Sequence, residues 1–381
     1  MTRLTGWTAA LLALILVLLL AGTGSISPHA NAATAEPTLA ATEASTAEPD
    51  ENADNRPISF VKAPSPEAGT IGISLGDTPN VIRLQTVVAN GPAGKAGMQV
   101  GDEIVEVNGK AAQSRDAVIA AIVASKPGDT ITFTVNRKGE KQEIKVPVST
   151  RRAVYCPLSA PSTKAGKAPI KDPIIAEKNW AVAPGGSPGV ALSIQNGKLT
   201  FVDRGQTGNW AGLATLKASQ LPEFIYTVDV TQSSQNIGGL ILNYRSTTGF
   251  YLLQLIPNGS WTMTAIYSDG SSAGSLSFSE PSLKAADAND PNSTTTNTVT
   301  VQEEGGNIYI SFNGTFACGT PLTQFGDPPI QRGSVGVFGI VYNMLSSTNP
   351  TFSNITLFQL ASSATPVATQ AATAAATEAA G

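Results

Sequence analysis

The stretch from about residue 179 to residue 360 carries many short β-type segments and no helical period. Each segment is rich in aliphatic, aromatic or β-branched residues, and turn-forming Gly, Asn or Asp residues separate it from the next. Because no helices lie between the strands, the pattern predicts one antiparallel β-sandwich over residues 178–360 rather than a parallel sheet. The predicted strands include Phe224–Val230, Gly239–Tyr244, Tyr251–Ile256, Trp261–Tyr267, Thr298–Gln302, Asn307–Phe312, Val335–Val341 and Ile355–Leu360.

Residues 67–150 combine short alternating strands with a single helix, which predicts a small α+β domain. Ile71 and Ile73 alternate across Gly72, and Ser114 is placed to cap the helix. The apolar stripe of this helix consists of Val118, Ile119, Ile122 and Val123. The chain as a whole is therefore predicted to be mainly β, with two domains.

The N-terminal residues 1–32 have the pattern of an export signal. Arg3 gives a positive start, Ala9–Gly22 is an uninterrupted apolar run, and Ala30-Asn31-Ala32 is a small-x-small cleavage pattern. The run is short for a membrane span, which needs about 20 apolar residues. We expect cleavage near Ala32 and a secreted, periplasmic or cell-surface protein, and the alternative is a retained N-terminal membrane anchor.

Three further segments are polar, small or repetitive in composition. Residues 33–66 are predicted to be a disordered linker, residues 151–177 a second linker, and residues 361–381 a disordered Ala/Thr tail. The net charge of −4 provides no basic surface for phosphates, so nucleic-acid binding is not expected.

The sequence offers little catalytic chemistry. Its one histidine, His29, lies in the predicted signal, so a Ser-His-Asp triad is not expected in the mature chain. Glu303 and Glu304 are adjacent and point to opposite faces of a strand, which does not suit a glycosidase pair. We therefore predict no catalytic residues. A sandwich hydrolase built from carboxylates distant in sequence, or a Ser-Lys protease, remains the enzymatic alternative.

Two cysteines and one acidic loop are the remaining candidate sites. Cys156 and Cys318 are a candidate disulfide in an oxidising compartment, and two free thiols are the alternative. Oxygen ligands cluster at Asp287-Ala288-Asn289-Asp290, so calcium is the candidate ion for this loop. This loop lacks the spacing and the Gly of an EF-hand, which favours an ordinary polar turn. No cofactor or metal site is predicted.

The order of elements in residues 67–150, together with six short stretches, resembles a bacterial PDZ domain. Such domains follow the catalytic domain of high-temperature-requirement serine proteases and occur in carboxy-terminal processing proteases. The stretches are Gly91-Pro92-Ala93 with Ala96-Gly97-Met98, Val100-Gly101-Asp102-Glu103-Ile104, Val107-Asn108-Gly109-Lys110, Pro127-Gly128-Asp129-Thr130 and Val135-Asn136-Arg137-Lys138-Gly139. The resemblance covers about eighty residues and implies a PDZ-like partial barrel.

The resemblance also implies a peptide-binding groove. PDZ domains add an extended peptide as a strand to an exposed edge and hold its terminal carboxylate with backbone N–H groups of a tight loop. That loop corresponds here to Thr70, Ile71, Gly72 and Ile73, and Thr70 stands where family members usually carry a bulky residue. Ile119 is expected to line the groove, and Ile122 to form its floor or to lie in the core beneath it. An apolar C-terminal residue of the ligand is therefore expected, unless the module only packs against a neighbouring domain.

The predicted sandwich resembles the concanavalin A-like or laminin G-like jelly rolls. The resemblance depends on Gly238–Tyr244 leading to Phe250–Leu253, on Ile308–Gly314 and on Gly333–Phe338. This superfamily includes lectins, hydrolases and adhesion modules, so the likeness concerns the fold. Aromatic residues are candidates for sugar stacking, with packing in the core as the alternative. They are Trp210, Trp261, Tyr244, Tyr251 and Tyr309.

Together these features predict an exported, non-enzymatic adaptor. Its PDZ-like groove would bind protein C-termini or extended peptides, and its sandwich would bind a carbohydrate or a second protein. The membrane is a partner only if the N-terminal segment is retained. The alternatives are a sandwich-type glycan hydrolase and a regulatory subunit of an envelope protease whose catalytic domain lies on another chain.

Overall fold

The computed structural model describes two antiparallel β-rich units and the short segments that join them. The described residues are 60, 62–76, 81–162, 176–203, 209–217, 221, 223–326, 328–342 and 348–360. The predicted signal, the predicted tail and most of the first predicted linker lie outside these ranges. Within them, no helix has the length and apolar character needed to cross a membrane.

The first unit contains eight strands and three helices. The helices are α1 (Pro92–Lys95), α2 (Arg115–Ala124) and α3 (Arg151–Tyr155). The strands are β1 (Gly69–Thr70), β2 (Ile73–Leu75), β3 (Leu84–Val87), β4 (Glu103–Val107), β5 (Lys110–Ala111), β6 (Thr130–Arg137), β7 (Glu140–Pro147) and β8 (Ser149–Thr150). They form a four-stranded sheet in the order β5-β4-β6-β7 and two two-stranded sheets, β2-β3 and β1-β8.

Local signals in the sequence explain these elements. The Ser114 hydroxyl accepts a hydrogen bond from the Ala117 amide (3.1 Å) and caps α2. On α2, Val118 and Ile122 are buried, whereas Ile119 and Val123 are 37% and 68% exposed. The helix therefore covers the core with one face and presents an aliphatic strip with another.

A bidentate ion pair ties β6 to the turn that precedes β4. Arg137 donates from Nε and Nη2 to the two carboxylate oxygens of Asp102, both at 2.7 Å, and Asp102 also accepts from the Gln99 amide. Burial by itself raises the pKa of Asp102, but the bonds from Arg137 and Gln99 outweigh it and the pKa lies below its ordinary value. The charge pair is therefore part of the fold of this unit.

The second unit is a sandwich of two seven-stranded antiparallel sheets. Its strands are β9 (Trp180–Val182), β10 (Val190–Gln195), β11 (Lys198–Asp203), β12 (Trp210–Leu216), β13 (Phe224–Ser233), β14 (Asn236–Arg245), β15 (Gly249–Ile256), β16 (Ser260–Tyr267), β17 (Ser272–Ser279), β18 (Thr294–Glu304), β19 (Asn307–Phe312), β20 (Thr315–Pro321), β21 (Ser334–Val341) and β22 (Thr351–Gln359). Sheet I has the order β10-β11-β22-β13-β18-β19-β20, and sheet II has the order β17-β16-β15-β14-β21-β12-β9. Short 3-10 helices cover 177–179 and 322–325. The predicted mainly β fold class, an α+β unit plus an antiparallel sandwich, is confirmed.

The core of the sandwich lies between the two sheets and is dominated by large side chains. Trp261 packs its ring at 5.4 Å from Phe278 and 5.7 Å from Phe312, which are centroid distances. Both partners are at most 1% exposed. Aromatic pairs of this kind bury a large area and fix the separation of the sheets.

The described parts of the two predicted linkers, one of them predicted to be disordered, carry defined structure. In the first, predicted over 33–66, the Ala63 amide donates to the Ser260 hydroxyl (3.1 Å) and the Ser279 amide donates to the Pro64 carbonyl (2.9 Å). In the second, predicted over 151–177, α3 forms directly after β8 because Thr150 caps it through a bond from the Ala153 amide (3.1 Å). Backbone contacts to the sandwich order both segments, and composition does not reveal them.

Candidate functional site

One side of the first unit has an open strand edge next to a helix. β2 pairs with β3, and in the described part of the chain no strand pairs with its other edge. The loop from Thr70 to Ile73 precedes β2. It begins next to the C-terminal end of α2, since a Cβ built at Gly69 would lie 2.4 Å from the Ser125 carbonyl oxygen. The space between the strand edge, the loop and α2 is the candidate groove.

The strand register shows which backbone groups face this groove. Ile73 lies opposite Val87, and the Val88 amide donates to the Gly72 carbonyl (2.9 Å). Hydrogen-bonded and non-hydrogen-bonded pairs alternate along an antiparallel ladder. The N–H and C=O of Ile73 therefore point away from β3, toward the open edge, where another extended chain can bind them.

The loop at the end of the groove is held from several sides. The Ala93 amide donates to the Ile71 carbonyl (2.9 Å), which anchors the loop to α1. Gly72 has a φ of +78°, and a Cβ there would lie 3.1 Å from Cγ1 of Val154 and 3.3 Å from Cβ of Val88. Glycine is the residue that adopts this conformation and fits this space without strain.

The Thr70 side chain forms part of the same loop. It is 7% exposed, and its hydroxyl oxygen accepts a hydrogen bond from the Gly72 amide at 3.3 Å. This amide is one of the backbone donors that would hold a ligand carboxylate in the predicted site. In this structure the Gly72 amide already donates its hydrogen bond to the Thr70 hydroxyl.

The predicted groove residues divide into two layers. Ile119 is 37% exposed and Ile73 is half-buried, so both are available at the groove, whereas Ile71 is fully buried and Ile122 is 8% exposed. The sequence analysis did not single out Val123 as a site residue, although it is 68% exposed on α2. The sequence signal for Val123 was its position four residues after Ile119, which places both side chains on the same face of the helix.

α3 connects the groove to the sandwich. Its Arg151 and Arg152 amides donate to the Ala68 and Pro66 carbonyls (2.9 and 2.8 Å). The Arg151 guanidinium lies over the Phe278 ring at 5.4 Å from its centroid, and Nη2 of Arg152 lies 3.7 Å from Oε2 of Glu280. Because Val154 of the same helix lies against Gly72, one short helix contacts both the binding loop and the sandwich.

The structure joins Cys156, the residue after α3, to Cys318 in β20 by a disulfide. The Leu158 amide next to it donates to the Gly319 carbonyl at 3.0 Å. The bond spans 162 positions of sequence and fixes the end of α3 to sheet I.

The other candidate sites have structural roles. In the acidic loop, Asp287 accepts from the Asn289 amide and Asp290 accepts from the Asn292 amide, both at 2.9 Å, as in ordinary polar turns. No group of three or more potential metal-ligating side chains occurs among the residues described. Trp210, Trp261 and Tyr251 are at most 3% exposed and belong to the inter-sheet core. Tyr244 and Tyr309 are half-buried.

Glu303 is a carboxyl group inside the sandwich. It is 2% exposed and accepts a hydrogen bond from Nδ2 of Asn243 at 2.8 Å. Burial raises its pKa to about 7, which the bond from Asn243 and the charge of Arg332 partly offset. The carboxyl group is therefore enclosed by protein.

A cavity of about 610 Å³ lies at one edge of the sandwich. Glu177, Lys178, Trp180, Val182, Val190, Ala191, Leu192 and Lys217 line it. Among these residues, Nζ of Lys217 donates to the Lys178 carbonyl (2.9 Å). The lining combines aliphatic side chains with charged ones.

Comparison with known proteins identifies the first unit. Residues 69–148 match the family model described as "PDZ domain". The serine protease Do-like HtrA of Lactobacillus helveticus is 37% identical over 67 residues, which are 18% of this chain and 16% of that protein. The probable periplasmic serine endoprotease DegP-like of Ectopseudomonas mendocina (strain ymp) is 34% identical over 92 residues, which are 24% and 19%.

The chain therefore spans less than a fifth of the length of these two curated relatives. Among solved structures, the carbohydrate binding module CBM66 from Bacillus subtilis matches 48% of this chain and 96% of its own, at 14% identity and a TM-score of 0.33. The likeness to the proteases lies in the region of the PDZ match. Residues 69–148 form a PDZ domain similar to those of HtrA and DegP proteases.

Proposed function

We propose that this chain is an exported, non-enzymatic adaptor whose PDZ groove binds the C-terminus or an extended segment of another protein. The observation that carries this proposal is the open edge of β2, where the N–H and C=O of Ile73 point away from β3. Backbone groups presented in this way bind a peptide by strand addition. The exposed aliphatic side chains of Ile119 and Val123 stand on the neighbouring helix to receive the side chains of the peptide.

The chemistry of the groove indicates the class of ligand. Ile73, Ile119 and Val123 are all aliphatic, so the last residue of the ligand is expected to be Val, Leu, Ile, Ala or Phe. The loop at Gly72 offers backbone donors rather than a charged side chain for the terminal carboxylate. We expect moderate, micromolar affinity, because a short peptide buries little area and has to be ordered.

Export is supported by three features. The N-terminal residues have the pattern of a signal, and the DegP-like relative is named as periplasmic. The Cys156–Cys318 disulfide forms and persists in oxidising compartments. We propose that residues 1–32 are removed and that the mature protein acts in the periplasm or outside the cell.

The sandwich is proposed to bind the second partner, a glycan or another protein. Its edge cavity near Lys178 and Lys217 is the candidate place for a small polar ligand. We propose no catalytic role for the sandwich, because Glu303 faces the interior.

The test is a binding experiment with the full chain. Fluorescent peptides ending in each of the twenty residues are titrated by fluorescence polarisation, each with a free and with an amidated C-terminus. We expect binding of peptides with aliphatic or Phe termini and at least a tenfold loss on amidation. Ile119→Glu should abolish it, whereas Val100→Glu, at a residue 65% exposed in a turn, is the matched control and should not.

Binding that tolerates amidation would show that the groove takes internal segments instead of C-termini. Binding that survives Ile119→Glu would place the peptide outside the groove and contradict the proposal. Absence of binding to every peptide in the set would also overturn it.

A further inference from the structure

The outer face of sheet II, turned away from sheet I, is apolar across five strands. Its side chains are nevertheless buried, since Ile237 and Phe338 are 0% exposed and Leu252 is 1% exposed. This face therefore offers no exposed apolar surface, and a partner of the sandwich has to bind elsewhere. The end strands of the two sheets are the places where backbone groups can remain unpaired.

Of the four end strands in the described sandwich, three are short or covered by other parts of the chain. On β20, the Gly319 carbonyl accepts a hydrogen bond from the Leu158 amide at 3.0 Å. On β17, the Ser279 amide donates to the Pro64 carbonyl at 2.9 Å. The third strand, β9, has three residues. Covering or shortening an end strand prevents it from pairing with the strand of another molecule.

The fourth end strand, β10, is longer and carries no charge. Its six residues, Val190–Gln195, include no Pro and no acidic or basic residue. In the part of the chain that the structure describes, β11 is the one strand that pairs with it. The cavity of about 610 Å³ adjoins Val190, Ala191 and Leu192, so there is open space beside the strand. β10 therefore lacks the features that usually protect an end strand.

The turn after β10 determines which of its backbone groups are free. Asn196 and Gly197 have φ values of +50° and +72°, as in a two-residue type I′ hairpin turn. The residue before such a turn, here Gln195, is hydrogen-bonded across the hairpin. Because bonded and non-bonded positions alternate along an antiparallel pair, the N–H and C=O groups of Leu192 and Ile194 point away from β11. They face the open edge.

The side chains of β10 show what a neighbouring strand has to provide. Val190, Leu192 and Ile194 are half-buried and pack on the inter-sheet core. Ala191 and Ser193 alternate with them and point to the opposite face of the sheet. A strand that joins the open edge has to continue the core with apolar residues at alternate positions. The sequence of β10 itself meets this requirement.

We propose that the β10 strands of two copies pair with each other, antiparallel and about a two-fold axis at Leu192, so that the chain forms a homodimer through sheet I. In this register Leu192 meets Leu192 of the second copy, and Val190 meets its Ile194. The absence of charge in β10 lets the two strands meet without the repulsion of like charges. The interface is also self-complementary, as two-fold symmetry requires.

The dimer would join the two copies of sheet I into one continuous sheet and carry two PDZ domains. A protein that presents two C-termini would then bind both grooves, and linked sites raise the overall affinity without any new contact. Only this consequence rests on the peptide binding proposed for the PDZ groove. The pairing of β10 does not, so the two proposals can fail separately.

The test is sedimentation velocity with the full chain over a series of concentrations. We expect a monomer–dimer equilibrium with a micromolar dissociation constant, because few residues of each copy pair. An acidic variant carries Ala191→Glu with Ser193→Glu, and a basic variant carries Ala191→Lys with Ser193→Lys. In the proposed register position 191 lies opposite position 193 of the second copy, so either variant alone should dimerise at least tenfold more weakly. An equimolar mixture should restore the dimer, which also shows that both variants fold.

Thr294→Glu with Thr296→Glu is the matched control. Both positions are exposed and lie two residues apart on β18 of the same sheet, so this variant should dimerise like the wild type. A monomeric wild type, an acidic or basic variant that dimerises alone, or a mixture that stays monomeric would each overturn the proposal. Loss of the dimer in Ile119→Glu would show that the PDZ groove joins the copies instead of β10, and would overturn it as well.

Discussion

Val154 lies against Gly72, so that a Cβ on the glycine would fall 3.1 Å from Cγ1 of the valine. This contact joins the loop that ends the PDZ groove to α3. Cys156, the residue after α3, is tied to the sandwich by its disulfide with Cys318. One short helix therefore connects this loop to the sandwich.

The first prediction concerns Gly72→Ala. Alanine is strained at a φ of +78°, and its Cβ meets Val154 and Val88. We expect a loss of about 2 kcal/mol of stability in the PDZ domain and weaker peptide binding, measured by amide hydrogen exchange and fluorescence polarisation. Gly109→Ala is the control, since Gly109 has a φ of +73° with no atom within 4 Å of the added Cβ, and should cost only about 1 kcal/mol.

The double variant Gly72→Ala with Val154→Ala separates crowding from backbone strain. If the Val154 contact contributes, the double variant regains part of the affinity lost in Gly72→Ala. Equal losses in Gly72→Ala and Gly109→Ala would show that the contact has no energetic effect.

Thr70→Val is predicted to strengthen binding of peptides with a free terminal carboxylate. Valine has nearly the same shape but cannot accept the 3.3 Å hydrogen bond from the Gly72 amide, which becomes available to the ligand. We expect affinity to rise two- to fivefold in fluorescence polarisation. Thr134 lies in the four-stranded sheet, away from the loop, and its hydroxyl donates to Glu106 of the same sheet. Thr134→Val is the control and should leave affinity unchanged. Weaker binding in Thr70→Val would instead show that the hydroxyl contacts the ligand.

Arg137→Met is predicted to destabilise the PDZ domain at neutral pH by roughly 2–4 kcal/mol, because Asp102 is left buried without its partner. The folded-state pKa of Asp102 lies below its ordinary value of 3.8, so the pair stabilises the fold above that pH. This stability is lost as the pH falls through the folded-state pKa. Hydrogen exchange at pH 7 and pH 3 should show the wild type approaching the variant in acid.

The matched control for this pair is Lys145→Met. Lys145 lies 3.8 Å from Glu143, and both side chains are more than 60% exposed. Exposed pairs contribute little, so the variant should stay within about 0.5 kcal/mol of the wild type at both pH values. A cost equal to that of Arg137→Met would contradict the role assigned to the Asp102 pair.

Glu303 gives the sandwich a predicted pH dependence of opposite sign. Its carboxyl has a pKa of about 7 in the folded chain against an ordinary 4.5, so the folded state holds a proton that the unfolded state has lost. Stability therefore falls as the pH rises from about 4.5 to 7, by on the order of 3 kcal/mol. Tryptophan fluorescence reports this unfolding, because the described tryptophans, Trp180, Trp210 and Trp261, all lie in the sandwich.

Glu303→Gln should remove most of this slope and stabilise the sandwich at pH 8, since the Gln carbonyl oxygen still accepts the bond from Asn243. Glu143→Gln changes an exposed carboxyl of the PDZ domain and should retain the slope. An unchanged slope in Glu303→Gln would show that Glu303 does not carry the pH dependence.

Sequence patterns predicted the elements with strong periodic signals. The helix α2 follows from its Ser114 cap and apolar stripe, and the sandwich follows from many short strands. Contacts between distant parts of the chain could not be read in the same way. α3 has five residues, too few to show a period, and its place depends on Val154 meeting Gly72.

The apolar outer face of sheet II did leave a signal in the sequence. Leu240–Leu242 in β14 and Tyr251–Leu253 in β15 are continuous apolar runs rather than alternating ones. Such runs are typical of strands that are buried on both faces. The sequence pattern predicted them only as strands of a sandwich.

Reduction of the Cys156–Cys318 disulfide is predicted to affect both domains. Opening a link between residues 162 positions apart enlarges the unfolded ensemble and lowers stability by up to about 5 kcal/mol. Because the bond also anchors the end of α3, its loss should loosen Val154 on Gly72 and weaken peptide binding two- to fivefold. Urea unfolding followed by tryptophan fluorescence, and polarisation with a bound peptide, measure the two effects in Cys156→Ser with Cys318→Ser. If stability falls and affinity does not change, α3 holds the loop without help from the sandwich, and the coupling between the domains is absent.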